Sequence, residues 1–344
     1  MSQRADTTTA EPSLRVLTHD DVAHALSRVD PVEVVADTLA LHARGDTTLP
    51  DEAYLPWHTE GGAFARSLAL PGAVWGERPA IGLKIINSSL ENPERGLPRA
   101  EGLTFLFDRA TARPIAMMPA AAISATRTAA CTALSVRLLA APGVERVAIL
   151  GTGALAAKHL ELLATELPGA SYVAHDLFPE RAKALGHPVA ETAREAVEGA
   201  GLVVCTTTTT EGYIAMDWLA PGALIAHVSL DDVLPEVVLG ADLLVVDDWD
   251  LVAADDRRIV GRMWRSGEVT GPKGERFDPA SDPGEGRRVD TTLADLVAGT
   301  HPGRARPEDV VLSNPFGMGG LDVALAGGGL DDAVAEGRGT TLSL

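Results

Sequence analysis

From Arg146 to Asp248 short, wholly apolar runs alternate with helix-forming ones, whereas the flanks carry longer extended stretches broken by turns. RVAILG (146–151), SYVAHD (171–176), LVVCTT (202–207), ALIAHVSL (223–230) and LLVVDD (243–248) read as strands. ALAAKHLELLATEL (154–167), PERAKALG (179–186) and AETAREAVEGA (190–200) read as helices between them. Strands that are apolar throughout need cover on both faces, so this pattern predicts a parallel, doubly wound sheet of the α/β class.

The flanks follow a different rule. AIGLKIINSS (80–89) and GLTFLFDRATARPIAMM (102–118) predict strands, the second a hairpin turning at DRATARP, and helices are expected near 20–45 and 120–140. After the sheet, a Gly/Pro/charge-rich segment (267–289) reads as loop, part of a charged loop 254–289 that would cover the crevice, and DVVLSNPFGMGGLDVALAGG (309–328) as a strand and then a helix. The simplest organisation is a nucleotide-binding domain at 126–308 inserted into a second domain made of 14–125 and 309–344.

Composition narrows the class of function. With 344 residues and 46% hydrophobic content the chain can bury two cores. A net charge of −19 argues against nucleic acid or an anionic membrane surface as partner, and any anionic ligand must meet a local basic pocket. Cys131 and Cys205 sit in apolar surroundings without metal-ligand spacing and read as two buried thiols. The histidines form no HxH or HExxH pattern, so no metal is expected. A polar opening, MSQRADTTTAEPS, and no bilayer-length apolar run predict a cytoplasmic chain with a short disordered lead-in.

The strongest local motif is G-x-G-x-x-A, formed by Gly151, Gly153 and Ala156 between a strand and a helix. The first glycine permits a tight turn, the second lets backbone approach a pyrophosphate, and the N–H groups of Ala154 and Leu155 open the helix toward phosphate. Asp176 ends the next strand, where a carboxylate accepts bonds from ribose hydroxyls and repels a 2′-phosphate, so the expected cofactor is NAD rather than NADP. Thr206, Thr207 and Thr208 follow the strand at 202–207 and would line the nicotinamide side; a plain polar loop explains them as well.

Three cations stand in apolar or small-residue settings: Arg66 in AFARSLALPG, Lys84 in IGLKIINSS and Arg127 in ISATRTAACTALS. Each alone reads as a salt bridge or surface tip, since a lone charge is costly to bury. Together, in an acidic chain, they read better as a pocket for carboxylates. Opposite them, HVSLDDVLPE (227–236) offers Asp231 and Asp232; one acid can cap a helix while the other handles a proton, and the chemistry is assigned to Asp232.

RTAACTALS followed by GTGALAA, with ARSLALPG and GLKIINSS upstream, resembles the ornithine cyclodeaminase/mu-crystallin family from about Leu17 to Leu344. The resemblance implies a Rossmann domain inserted into an α+β substrate and dimerisation domain, and hence a homodimer. It also gives the residues before the glycine loop a purpose, the substrate pocket. GLPRAEGLTFLFD, HVSLDDVLPEVVLGADLLVVDDWD and LSNPFGMGGLD are similar to one branch, whose members oxidise N-(2-amino-2-carboxyethyl)-L-glutamate with NAD to 2-oxoglutarate and L-2,3-diaminopropionate. That branch implies substrate binding by Arg66, Arg99 and Arg127, catalysis by Lys84 and Asp232, and a pyridoxal phosphate-dependent synthase as supplier. It departs from the branch at Pro119, where an acid is usual, and in its glycine-rich last helix. The alternatives within the resemblance are a cyclodeaminase, a ketimine reductase or amino-acid dehydrogenase, and a non-catalytic crystallin-like protein.

Overall fold

The computed structural model describes residues 13–280 and 286–344; residues 1–12, most of the expected lead-in, and 281–285, within the expected loop, lie outside them. The first part of the chain runs β1 (Ser13–Val16), α1 (His19–Leu26), α2 (Pro31–Ala43), β2 (Thr47–Thr48), β3 (Ala53–His58), β4 (Phe64–Val74), β5 (Ala80–Ser89), β6 (Ala100–Phe107) and β7 (Pro114–Pro119). These strands and the C-terminal strand Thr340–Ser343 make an eight-stranded sheet that is antiparallel apart from the β1–β7 pair. The β6–β7 hairpin turns where DRATARP predicts, with Asp108 accepting the Thr111 N–H at 2.8 Å. Local chemistry starts the helices: a Thr18–Asp21 capping box opens α1, and Asp30 followed by Pro31 opens α2.

The long helix α3 (Ala120–Leu139) leads into the second sheet through β8 (Arg146–Leu150), α4 (Ala154–Glu166), β9 (Ser171–His175), α5 (Pro179–Ala184), α6 (Ala193–Val197) and β10 (Leu202–Cys205). Then come β11 (Leu224–His227), α7 (Pro235–Gly240), β12 (Leu243–Val246), α8 (Trp249–Ala254), α9 (Ile259–Arg265), the small pair β13 (Val269–Thr270) and β14 (Arg287–Arg288), β15 (Thr291–Thr292), α10 (Leu293–Val297) and β16 (Val311–Ser313). The order is β15-β12-β16-β11-β10-β8-β9, with every pair parallel. Its central strands are buried residue by residue, which is why they read as continuous apolar runs.

The chain order reverses between β8 and β10, because β8 connects outward to β9 and the chain then returns to β10 on the other side. Ligand crevices of open parallel sheets lie at such switch points, outside the carboxyl ends of the strands. The expected boundaries do not fall cleanly: β16 belongs to the parallel sheet, so a cut at 309 would divide that sheet, and 125/126 lies inside α3. The stretch 254–289, expected to be loop, contains α9, and among the described residues β3, β4 and the C-terminal strand are further elements that the apolar pattern does not predict.

The last helix, α11 (Gly319–Ala335), returns to the antiparallel sheet. Its first turn makes a close backbone contact with β4. A Cβ on Gly72 of β4 would lie 2.8 Å from the Gly320 nitrogen, so the helix backbone rests directly on the strand. That approach brings the buried Asp322 down onto the sheet.

Candidate active site

The parallel half of the site is made of backbone and short side chains. Gly151 turns with φ +79°, and a Cβ on it would sit 2.9 Å from backbone atoms of Thr206 and Thr207. Gly153 caps α4 without a side-chain hydrogen bond, and a Cβ there would meet nothing within 4 Å. The first-turn N–H groups of Ala154 and Leu155 therefore lack a side-chain cap, beside an open cradle that fits a pyrophosphate. Asp176 holds the loop from the next strand, accepting the Thr152 N–H at 2.8 Å and its hydroxyl at 2.9 Å, and the Phe178 N–H at 2.9 Å. The Thr206 hydroxyl donates to the Gly151 carbonyl at 2.7 Å, while Thr208 is exposed.

Asp232 lies beyond β11 and is wholly buried. One oxygen accepts the hydroxyls of Thr207 at 2.8 Å and Tyr213 at 2.9 Å, the other accepts from Ser229, and its own N–H donates to His227 Nε2 at 3.0 Å. Burial works against its charge, but His227, Ser229 and Thr207 outweigh it and hold the carboxyl below the ordinary aspartate value. Asp231, the alternative acid, is gripped at both oxygens by Arg262, at 2.5 and 3.3 Å. Tyr213 keeps its proton, with a pKa far above the usual value, because it is buried and lies near Cys205 and Asp232.

The antiparallel half is ionic. Lys84 projects from β5 and is buried; Nζ donates to Asp322 at 2.8 Å and to Ser124 Oγ at 3.3 Å. Arg127 of α3 places Nε 3.1 Å from the same Asp322 oxygen. Burial pulls the Lys84 pKa down to about 8, with Asp322 opposing and Arg127 adding to the fall. Arg127 is raised despite its burial, by Asp322 first and then by Cys131 and Asp247. Arg66 of β4 is half-buried, with Nε 3.3 Å from Ser88 Oγ, and among the described residues neither it nor Arg99 makes an ion pair. Arg99, at an exposed position, is lowered by the protein packed around it and by the neighbouring Arg66.

The antiparallel half thus gathers two cations from β4 and β5, one from the segment before β6 and one from α3, with a shared carboxylate from α11, and the parallel sheet adds a glycine loop and a buried acid at its carboxyl edge. The ornithine cyclodeaminase/mu-crystallin family model matches residues 14–335. The chain belongs to this family. It is 31% identical to the N-((2S)-2-amino-2-carboxyethyl)-L-glutamate dehydrogenase of Staphylococcus aureus over 91% of this chain and 93% of that protein. The crystal structure of CmnK superposes with a TM-score of 0.87 at 42% identity, over 96% of this chain and 98% of that one. The Δ1-pyrroline-2-carboxylate reductase of Thermococcus litoralis, solved with NADH and L-proline, shares the fold at a TM-score of 0.81 and 24% identity, over 95% and 99% of the two chains.

In this family member, Asp322 is the residue that sequence reasoning missed. Its signal was present, since GGLDVALAGG places one acid in an apolar stretch just as IGLKIINSS places one cation. Tyr213, Ser229 and His227 had no such signal; only the fold gathers them around Asp232. Both cysteines are buried, as their apolar settings predict. Away from the site, His24, Asp332 and Glu336 bring ligand atoms within 4.8 Å of one another, but Arg28 and Arg338 already supply cations to the two acids. Among the described residues no helix is long and apolar enough to cross a membrane.

Proposed function

We propose that this protein oxidises N-(2-amino-2-carboxyethyl)-L-glutamate with NAD and hydrolyses the product to 2-oxoglutarate and L-2,3-diaminopropionate. The observation that carries the reading is the surplus of cations around Lys84. Among the described residues Arg66 and Arg99 make no ion pair, in a chain of net charge −19, and Lys84 and Arg127 pair there with Asp322 alone. Such a surplus suits a ligand with several carboxylates. The likeness to the Staphylococcus aureus dehydrogenase supports the same substrate.

NAD, when bound, takes the hydride. Gly151, Gly153 and the first turn of α4 would hold its pyrophosphate, Asp176 its ribose hydroxyls, and Thr206–Thr208 the nicotinamide side. Arg66 and Arg127 orient the glutamyl carboxylate beside the reacting carbon, and Arg99 meets a carboxylate nearer the mouth; orientation of this kind supplies much of a barrier reduction. As hydride leaves, positive charge develops on the substrate nitrogen, and the ionised Asp232 stabilises it. The hydrogen bonds that keep Asp232 ionised also make it a weak base, so the proton of the attacking water passes instead to Lys84, whose pKa of about 8 suits it to that transfer near neutral pH. The resulting carbinolamine collapses to 2-oxoglutarate and the free diamine.

The unit would work in the cytoplasm as a homodimer, supplied by a pyridoxal phosphate-dependent synthase. Support for the dimer is the sheet face opposite Lys84, where Leu103 and Ile115 are exposed and Leu83, Ile85, Phe105 and Met117 half-buried. The activity is tested by mixing protein and NAD with N-(2-amino-2-carboxyethyl)-L-glutamate, with ornithine in parallel. Equal amounts of NADH and 2-oxoglutarate from the first are expected; proline and ammonia from ornithine, with silence in the first, would make it a cyclodeaminase.

A further inference from the structure

One buried cation has no part in the scheme above. Arg258 precedes α9, and its side chain is only 18% exposed. A guanidinium carries five N–H donors. This one makes a single side-chain hydrogen bond among the described residues, from Nη1 to the Pro315 carbonyl at 3.2 Å. Its closest carboxylate, Asp255, lies 3.9 Å from Nε and is already occupied by Arg257 Nε at 2.5 Å and by the Arg258 backbone N–H at 3.0 Å. The remaining guanidinium donors make no hydrogen bond among the described residues, and the group stacks over Phe316 at 5.1 Å from the ring centroid.

Its position ties it to the site. Asp247 pins the N–H groups of Phe316 and Gly317, each at 2.7 Å, and so fixes the turn on which Arg258 rests. The same turn meets Arg127, since a Cβ on Gly317 would be 2.6 Å from its Nη1. Arg127 and Arg258 thus both touch one turn and share the field of Asp247, while Glu52 acts on both Lys84 and Arg258. Burial also holds Arg258 below the ordinary arginine value, although Asp255, Asp247 and Glu52 oppose the fall.

The geometry points to Arg258 as the binding residue for the distal carboxylate of the substrate's glutamyl arm. Arg66 and Arg127 take the carboxylate next to the reacting carbon, and an arm that follows the Phe316–Gly317 turn from Arg127 reaches Arg258; Arg99, exposed and near Arg66, is left for a carboxylate at the mouth. This inference rests on the proposed function, and its ligand class is a dicarboxylic 2-amino or 2-oxo acid.

The test is calorimetric binding to the full chain loaded with NADH, using 2-oxoglutarate and 2-oxopentanoate, which has the same chain length without the distal carboxylate. The wild type should prefer 2-oxoglutarate by about tenfold to a hundredfold, the range of a hydrogen bond to a charged group, and Arg258→Gln should reduce that preference to about threefold or less. Affinities for 2-oxopentanoate and NADH should not change, which separates a binding role from a structural ion pair with Asp255. Should Arg258→Gln not fold, Arg258→Lys is measured in the same way and should keep only part of the preference. A preference that survives the substitution, or is absent from the wild type, overturns the inference. If the wild type shows the preference and the variant loses it, while N-(2-amino-2-carboxyethyl)-L-glutamate is not turned over, the subsite stands and the proposed reaction falls.

Discussion

Asp232 and Asp322 are both wholly buried carboxylates, one in each half of the site, and they have different kinds of partner. Asp232 accepts hydroxyls from Thr207, Tyr213 and Ser229, neutral donors that the parallel sheet gathers from nearby loops. Asp322 is shared by two cations, Lys84 and Arg127, and its bond to Lys84 spans 238 residues. Neutral donors can be removed one at a time with the rest in place. A shared counter-ion cannot, because its loss leaves two buried cations facing each other.

The largest expected effect follows from that difference. Asp322→Asn should lower the free energy of unfolding in urea by about 3–5 kcal/mol, the range for stranding a buried charge. Tyr213→Phe, removing one of several hydroxyls from Asp232, should cost about 1.5–3 kcal/mol, as for a hydrogen bond to a charged group. Equal losses for the two variants would break the comparison.

The glycine loop sharpens it further. Gly151→Ala forces a side chain into a left-handed backbone and against Thr206 and Thr207, so stability should fall by at least about 1–2 kcal/mol. Gly153→Ala meets open space and should stay within about 0.5 kcal/mol of wild type by the same measurement, yet weaken NAD in a fluorescence titration. A stability loss at Gly153 would show that the cradle is structural.

The smallest effect concerns the link between the sheets. His159, in α4, accepts the Thr132 hydroxyl of α3 at 3.0 Å, its other ring nitrogen lying 2.8 Å from the Leu155 carbonyl. Burial lowers its pKa from 6.5 to about 4. Between those values the unfolded chain binds the proton and the folded chain does not, so this group's contribution to stability is present above pH 6.5 and lost as pH falls toward about 4. His159→Gln should flatten the stability profile in that window; an unchanged slope would place the acid sensitivity elsewhere.

The same contrast explains what could be read from the sequence. In the parallel sheet, strand, turn and ligand-facing residue lie within a few positions of one another, so Gly151, Asp176 and Asp232 were legible from local pattern. In the antiparallel sheet β4 carries Pro71 and Gly72, which interrupt alternation, and the reason for them is the backbone of Gly320 pressed against the strand. Lys84 and Arg127 were visible as isolated cations, but pairing both with Asp322 needs the third dimension.

The division of labour between the two acids and Lys84 is the central claim, and the pH dependence of kcat/KM for N-(2-amino-2-carboxyethyl)-L-glutamate tests it most directly. If Lys84 takes the proton, activity rises with pH through about 8, where the buried amine becomes neutral, while Asp232, already ionised, adds no step near neutrality. A profile that is flat there, or that falls as pH rises through about 8, would contradict the account and return the proton to another group.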